Sequence, residues 1–298
     1  MEANLKAWIQ AARLRTLPLA ASCVLTGSAF ALKHEGFNSV VFVLILITTF
    51  MLQVLSNLAN DYGDSQNGAD NDLRVGPVRA VQSGAISARR MRKAVVIVAA
   101  SCLVSGVSLL WTVFRFEQIP YVGILFFILG LIAIAAAIKY TAGKNPYGYS
   151  GFGDLSVMIF FGFLGVMGTF YLHCKEFYAT LFWPSLTIGA LSTAVLNLNN
   201  LRDHISDSAT GKRTLVVRMG FTKGKYYHIF LISIALISAV VTVLHLGGKS
   251  SVALLVLIIP LTQCVKVARS VNGSDLDSEL KKTALSAFLF SLLLFILN

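Results

Sequence analysis

Val40-Val41-Phe42-Val43-Leu44-Ile45-Leu46-Ile47-Thr48-Thr49-Phe50-Met51-Leu52-Gln53-Val54-Leu55-Ser56-Asn57-Leu58-Ala59-Asn60 contains no charged residue. About 20 mostly apolar residues in a helix cross the hydrocarbon of a bilayer, so this stretch reads as a transmembrane helix. Working outward, further apolar runs fall near 17–32, 94–114, 120–138, 154–172, 179–201, 226–246, 252–268 and 283–298. The whole chain of 298 residues is 56% apolar and 13% charged, where soluble chains carry about 25% charged residues. That balance excludes a soluble enzyme with one anchor, a disordered chain and a disulfide scaffold. The runs are continuous instead of alternating, which argues against a β-barrel. The expected fold is an all-α membrane protein with nine transmembrane helices, in one domain over 1–298.

Residues 1–16 precede the first run. There Trp8, Ile9 and Leu14 lie among Lys6, Arg13 and Arg15, the pattern of a short amphipathic helix in the membrane surface. No small-residue cleavage site follows the first run, so no removable signal is expected. Cys23, Cys102, Cys174 and Cys264 show neither CxxC pairing nor metal-ligand spacing and read as small buried hydrophobes.

Charge placement orients the bundle. With nine spans, 21 of the 25 Lys and Arg share one side, and only Lys33, Arg115, Lys175 and Lys249 take the other. The basic side belongs in the cytoplasm, with the N-terminus inside. The net charge of +11 is then this bias plus attraction to anionic lipid, and no nucleic-acid partner is implied. Of the 14 Asp and Glu, 11 lie on the same side. Acidic residues do little for topology, so their clustering needs another cause.

Most of them crowd into two connections, those that follow the second and sixth runs. The second run ends Asn57-Leu58-Ala59-Asn60-Asp61-Tyr62-Gly63-Asp64, and the sixth ends Asn197-Leu198-Asn199-Asn200-Leu201-Arg202-Asp203-His204-Ile205-Ser206-Asp207. If each helix continues, Asn57, Asn60, Asp61 and Asp64 share a face at i, i+3, i+4, i+7, and Asn199, Asn200, Asp203 and Asp207 share another. Carboxylates so spaced repel and are costly near hydrocarbon; a hard cation removes the repulsion. Oxygen ligands without His or Cys suit Mg²⁺, which bridges to substrate phosphates. One such cluster also suits a solvated helix end, but two on one side favour the metal reading. Asn57-Leu58-Ala59-Asn60 echoes Asn197-Leu198-Asn199-Asn200, and each stretch runs to a glycine, Gly68 or Gly211. Two pseudo-repeated four-helix halves plus one helix would bring both clusters to one cavity mouth.

Cations follow each cluster: Arg74 and Arg79 after the first, Lys212, Arg213 and Arg218 after the second. Carboxylates, Mg²⁺ and neighbouring Lys or Arg together hold a diphosphate. Arg79, Lys212 and Arg213 are assigned to it, whereas Arg89, Arg90, Arg92, Lys223 and Lys225 satisfy the positive-inside rule. The connection Lys139-Tyr140-Thr141-Ala142-Gly143-Lys144 through Gly151-Phe152-Gly153-Asp154 is Gly-rich, aromatic and on the same face. Lys139, Tyr140 and Lys144 are placed with the substrate, although Lys139 equally suits snorkelling. Asp154 suits a helix N-terminus. His204 is a lone imidazole among acids.

The pair Asn60-Asp61-Tyr62-Gly63-Asp64 and Asp203-His204-Ile205-Ser206-Asp207 resembles the Asp-rich motifs of UbiA-type intramembrane aromatic prenyltransferases. Arg15-Thr16-Leu17-Pro18, Arg74-Val75-Gly76-Pro77-Val78-Arg79, Lys139-Tyr140-Thr141 with Gly151-Phe152-Gly153-Asp154, and Gly211-Lys212-Arg213-Thr214-Leu215 look like the MenA branch, the 1,4-dihydroxy-2-naphthoate polyprenyltransferases. The likeness runs from about residue 7 to the end of the seventh run. The family's first motif is N-D-x-x-D-x-x-x-D, and its last position is Gly68 here; Asp70 and Asp72 are the candidates to replace it.

The resemblance implies nine helices around a cavity open to lipid, and Mg²⁺ held by Asn60, Asp61, Asp64, Asp203 and Asp207. Asp61, Asp64, Asp203 and Asp207 are the implied catalytic residues, with Asp61 deprotonating or orienting the ring hydroxyl. Asn57, Asn199, Asn200, Arg79, Lys139, Tyr140, Lys144, Lys212 and Arg213 line the substrates, a polyprenyl diphosphate and a naphthoate. The implied reaction is Mg²⁺-dependent prenyl transfer with decarboxylation, giving demethylmenaquinone at the cytoplasmic face of the plasma membrane; no obligate protein partner is implied. Another aromatic acceptor such as 4-hydroxybenzoate, a cation-coupled transporter, and a CDP-alcohol phosphotransferase are the alternatives. A transporter usually carries its ion ligands near the bilayer midplane, and the contiguous D-G…A-R…G…D…D stretch of the phosphotransferases is absent from the sequence.

Overall fold

The computed structural model describes residues 5–68, 75–114 and 120–298. Asp70, Asp72, Arg74 and Arg115 lie outside the described residues. The order is α1 (Leu5–Ala12), α2 (Leu17–Lys33), α3 (Ser39–Gln66), α4 (Ala88–Phe114), α5 (Pro120–Lys139), α6 (Gly153–Cys174), α7 (Phe182–Ala209), α8 (Leu215–Met219), α9 (Phe221–Leu246), α10 (Ile258–Arg269) and α11 (Asp277–Ile296). No strand occurs among the described residues. In lipid each backbone N–H and C=O must be satisfied within the segment, so a long apolar run becomes a helix.

Eight of the described helical stretches are long and apolar enough to span a membrane; the last runs from Gly248 to Arg269. They coincide with the first eight runs read from the sequence. The ninth run lies in α11, whose first turns carry Asp277, Glu279, Lys281 and Lys282 and so shorten its apolar part. Helix α11 packs along α2 and α7, and Phe290 and Leu294 enter the main core with Val24, Phe170, Ile188, Leu191 and Ile232. Helix α5 stands at the periphery, with Tyr121, Ile124, Leu125, Ile128, Leu131 and Ile132 exposed on it.

In α6, Met158–Met167 take the wider π-helical turn. This helix lies close against α7: a Cβ on Gly162 would sit 2.6 Å from the Ser185 carbonyl oxygen and 2.9 Å from Gly189 Cα. Only a glycine permits that approach.

The N-terminal helix α1 lays Ala7 and Ala11 into a second core with Leu55, Leu58, Ile86 and Met91, while Leu5 and Ile9 stay exposed. Arg13 takes the left-handed conformation, φ 49°, and turns the chain into α2. Asn57 pins this corner. Its Nδ2 donates to the Ala12 carbonyl at 2.9 Å and to Thr16 Oγ1 at 2.9 Å, and Gln53 donates to the same hydroxyl at 3.1 Å. The amide assigned to the substrate is thus engaged with the N-terminal segment. Asn57→Ala is expected to cost about 1 kcal/mol, the usual worth of such a bond inside a bundle. That would expose the corner about fivefold more often, read as faster tryptic cleavage after Arg13 or Arg15 with the bundle still folded. Unchanged cleavage would show that Asn57 does not hold the segment.

Candidate active site

The two acidic clusters form the last turns of α3 and α7. Both helices contain 28 residues and end alike: Asn67 and Thr210 cap them at φ −95°, followed by left-handed Gly68 and Gly211. Counted back from these caps, Asn57, Asn60 and Asp64 correspond to Asn200, Asp203 and Asp207. The sequence echo pairs Asn57 with Asn197 instead, three residues away. The helix ends therefore repeat in a register nearly one turn off the echo, because the caps and not the Asn-Leu pair set the matching positions.

The four residues expected on one face of α3 fan out to different neighbours. Both oxygens of Asp61 accept backbone N–H bonds, from Ala80 at 3.0 Å and Val81 at 3.1 Å. Asp61 thereby clamps the loop that carries Arg79. Asn60 Oδ1 accepts from the Thr141 hydroxyl at 3.0 Å. Asp64 is buried, accepts the Tyr149 hydroxyl at 2.6 Å on Oδ1, and pairs through Oδ2 with Arg79. Arg79 also donates to the Asn60 carbonyl.

The α7 cluster is held by cations in the same way. Arg202 grips Asp203 at 2.9 and 2.7 Å and reaches Asn199 at 2.8 Å and Asp277 of α11 at 2.7 Å. Lys212 meets Asp207 Oδ1 at 3.3 Å. Asn200 is buried on the same helix. His204 turns away, bonds the Leu201 carbonyl at 2.8 Å and stacks on Phe221 at 4.7 Å.

Tyr149 joins the two clusters. Its hydroxyl holds Asp64, its ring lies 5.5 Å from Lys212 Nζ, and its carbonyl accepts the Arg213 N–H at 2.9 Å. Asp207 lies within electrostatic reach of both Asp203 and Asp64. Burial, and then the Asp64 carboxylate, push the Tyr149 phenol far above its usual range, so it remains a proton donor at physiological pH. Sequence reasoning placed the connection at the site but did not single out Tyr149. An aromatic residue in a Gly-rich loop carries no mark of its partner; only the packing of 147–150 against both helix ends supplies one.

Among the described residues, Lys139, Lys144 and Arg213 form no ion pair with the carboxylates. Lys139 is exposed and donates to the Lys144 carbonyl at 3.2 Å, closing its own loop. Lys144 and Arg213 are exposed. Tyr140 lies near Asp64 and Asp207 as well as Asp154, and burial pushes its phenol up.

A hard divalent cation fits these donors. The available ligands are carboxylate and amide oxygens, and Asp207 Oδ2 is buried without any hydrogen-bond partner. A buried, unpaired carboxylate oxygen is costly and is the natural first ligand. Among the described residues, no group of three or more His, Cys, Asp or Glu is gathered closely enough to hold an ion by itself; Arg79, Arg202 and Lys212 occupy their carboxylates instead. The site is thus built from alternating acids and bases, able to take a metal on the acids and phosphate oxygens on the bases.

Comparison with known proteins agrees with this chemistry. The UbiA prenyltransferase family matches residues 20–293. A 1,4-dihydroxy-2-naphthoate octaprenyltransferase of Haemophilus influenzae is 43% identical over 298 residues, 99% of this chain and 94% of that protein. Its namesake from Escherichia coli is 45% identical over 227 residues, 76% of this chain and 73% of that protein. Among solved structures, a UbiA homolog from Archaeoglobus fulgidus bound to DMAPP and Mg²⁺ superposes with a TM-score of 0.64 at 15% identity, covering 98% of this chain and 100% of the other. The chain belongs to the UbiA prenyltransferase family, on the branch that carries the 1,4-dihydroxy-2-naphthoate octaprenyltransferases.

Proposed function

We propose that the chain transfers a polyprenyl group from an allylic diphosphate to 1,4-dihydroxy-2-naphthoate, with loss of CO₂, giving demethylmenaquinone for menaquinone biosynthesis. The observation that carries this reading is the convergence of Asp64 and Asp207, from two distant helices, on Tyr149 and Lys212. The Haemophilus and Escherichia relatives bear the name of this activity, and the Archaeoglobus homolog binds an allylic diphosphate with Mg²⁺.

Asn60, Asp64, Asp203 and Asp207 are the residues that would hold Mg²⁺. When bound, the metal supplies the charge that makes diphosphate a good leaving group. Arg79 and Lys212 exchange their carboxylate partners for phosphate oxygens and place positive charge where negative charge grows as the C–O bond breaks. Tyr149 keeps Asp64 aimed into the site. Apolar helix walls keep water from the allylic cation, and the prenyl tail lies along them toward the lipid. The acceptor ring then attacks, and departure of its carboxylate as CO₂ restores aromaticity.

The basic side faces the cytoplasm, and α11 serves as the ninth span, so the N-terminus and the site share that side. The test is direct. Purified protein in lipid nanodiscs with farnesyl diphosphate, Mg²⁺ and the naphthoate is expected to yield a prenylated, decarboxylated naphthoquinol by mass spectrometry. EDTA should abolish the product and excess Mg²⁺ restore it. Product with 4-hydroxybenzoate and none with the naphthoate would overturn the acceptor assignment.

A further inference from the structure

Asp154 opens α6, and its place in the sequence suggests only a helix N-terminus. It stands in the first turn of α6, where a carboxylate suits the helix dipole, but the helix start carries no side-chain cap. Asp154 is 6% exposed. Its Oδ1 is buried with no hydrogen-bond partner, and Tyr227 of α9 lies within electrostatic reach of the carboxylate. Its electrostatic neighbours are phenols: Tyr227, and Tyr140, which also lies within reach of Asp64 and Asp207. The approach is close, since a Cβ on Gly153 would lie 2.7 Å from the Tyr140 hydroxyl.

A buried carboxylate without a cation partner is expensive to maintain inside a bundle. Asp64, Asp203 and Asp207 each have a cation, and Asp61 is spent on two backbone amides. Asp154, like Asp207, has an acceptor oxygen to spare, but it has no phosphate-side role.

We propose that Asp154, oriented by Tyr227, receives the hydroxyl of the aromatic acceptor and carries its proton during ring attack. The inference rests on the prenyl-transfer reading above. As the carboxyl-bearing ring carbon bonds to the allylic carbon, the hydroxyl oxygen becomes a carbonyl and its proton passes to Asp154. The C–O bond to diphosphate breaks, and its electron pair leaves with diphosphate. The resulting β-keto carboxylate loses CO₂, whose bonding pair makes the ring oxygen a phenolate. Asp154 returns the proton to that oxygen and ends as it began. No further reactant is required. The acceptor thus docks on the Tyr140–Asp154–Tyr227 side and the diphosphate on the Arg79–Lys212 side, with Tyr140 between them.

The experiment uses full-length protein in nanodiscs, with Asp154→Asn, Asp154→Glu and Tyr227→Phe. Three quantities are measured: kcat with the naphthoate, kcat with a ring-halogenated naphthoate of more acidic hydroxyl, and Kd for farnesyl thiolodiphosphate with Mg²⁺. Loss of a positioned base costs about 10²- to 10⁴-fold. Asp154→Asn is therefore expected to lower kcat about 100-fold with donor Kd unchanged. The halogenated acceptor should recover a larger fraction of wild-type rate in this variant, and Asp154→Glu should restore part of kcat. Tyr227→Phe should lower kcat about tenfold, again without moving donor Kd; it keeps the test alive if Asp154→Asn does not fold. Weakened donor binding in Asp154→Asn, equal losses with both acceptors, or near-normal turnover would overturn the proposal. Failure of the wild-type protein to prenylate the naphthoate would instead overturn the functional reading beneath it.

Discussion

Asp64→Asn and Asp207→Asn are each expected to lower turnover by about 10²- to 10³-fold, the usual cost of removing a group that stabilises developing charge. Both substitutions keep shape and remove one charge. In Asp207→Asn the unpartnered Oδ2 becomes an amide atom that ligates a hard cation poorly, and the ion pair with Lys212 at 3.3 Å is lost. In Asp64→Asn, Arg79 loses its buried partner and Tyr149 a charged acceptor. The helix around either position has apolar neighbours enough to keep the bundle folded, so size-exclusion profiles should match wild type. Glu35→Gln, in the connection between α2 and α3, is the control and should keep its rate. Near-normal turnover in both Asp variants would remove these residues from the chemistry, whatever the fold.

Gly63→Ala is the second large effect, and it acts through the backbone. A Cβ at this position would lie 2.6 Å from the Thr141 carbonyl carbon and oxygen and 2.7 Å from the Ala142 nitrogen. Main chain cannot swing aside as a flexible side chain can, so α3 and the end of α5 must separate by about 1 Å, a shift that overpacking typically prices at 1–3 kcal/mol. Three bonds cross this seam: Thr141 Oγ1 to the Ala59 carbonyl at 3.1 Å, Thr141 Oγ1 to Asn60 at 3.0 Å, and Asn67 Nδ2 to the Thr141 carbonyl at 2.7 Å. The seam sets where Asn60 and Asp64 stand relative to Tyr149. Displacement of about 1 Å commonly costs 10²-fold in rate, and that is the expected loss, with a lowered unfolding temperature. Gly106→Ala and Gly130→Ala meet nothing within 4 Å and should leave both quantities unchanged or slightly improved. Equal behaviour of all three variants would deny the seam its positioning role.

The spans were legible because hydrocarbon imposes one solution on an apolar run. The run 40–60 lies within α3, and 120–138 matches α5 almost residue for residue. The charged ends were less legible: α3 continues to Gln66 and α7 to Ala209, past Asp64 and Asp207. Helical spacing correctly put Asn57, Asn60, Asp61 and Asp64 on neighbouring positions. It did not reveal that four adjacent side chains meet four different partners, because a helix face about 100° wide is shared among whatever packs on it. Asn57 faces the N-terminal corner, Asp61 the Arg79 loop, Asn60 the end of α5, and Asp64 the Tyr149 turn.

What the amino-acid order alone determined is therefore the all-helical membrane class, the positions of the runs and the acidic character of two helix ends. Each follows from local composition against a uniform solvent, water or lipid. The tertiary structure decided the rest: the register of the two helix ends, the bridging place of Tyr149, the clamp duty of Asp61 and the unpartnered Oδ1 of Asp154. Those properties depend on which loop crosses which helix face. Residues 85 positions apart, as Asp64 and Tyr149 are, leave no trace of their meeting in either local stretch.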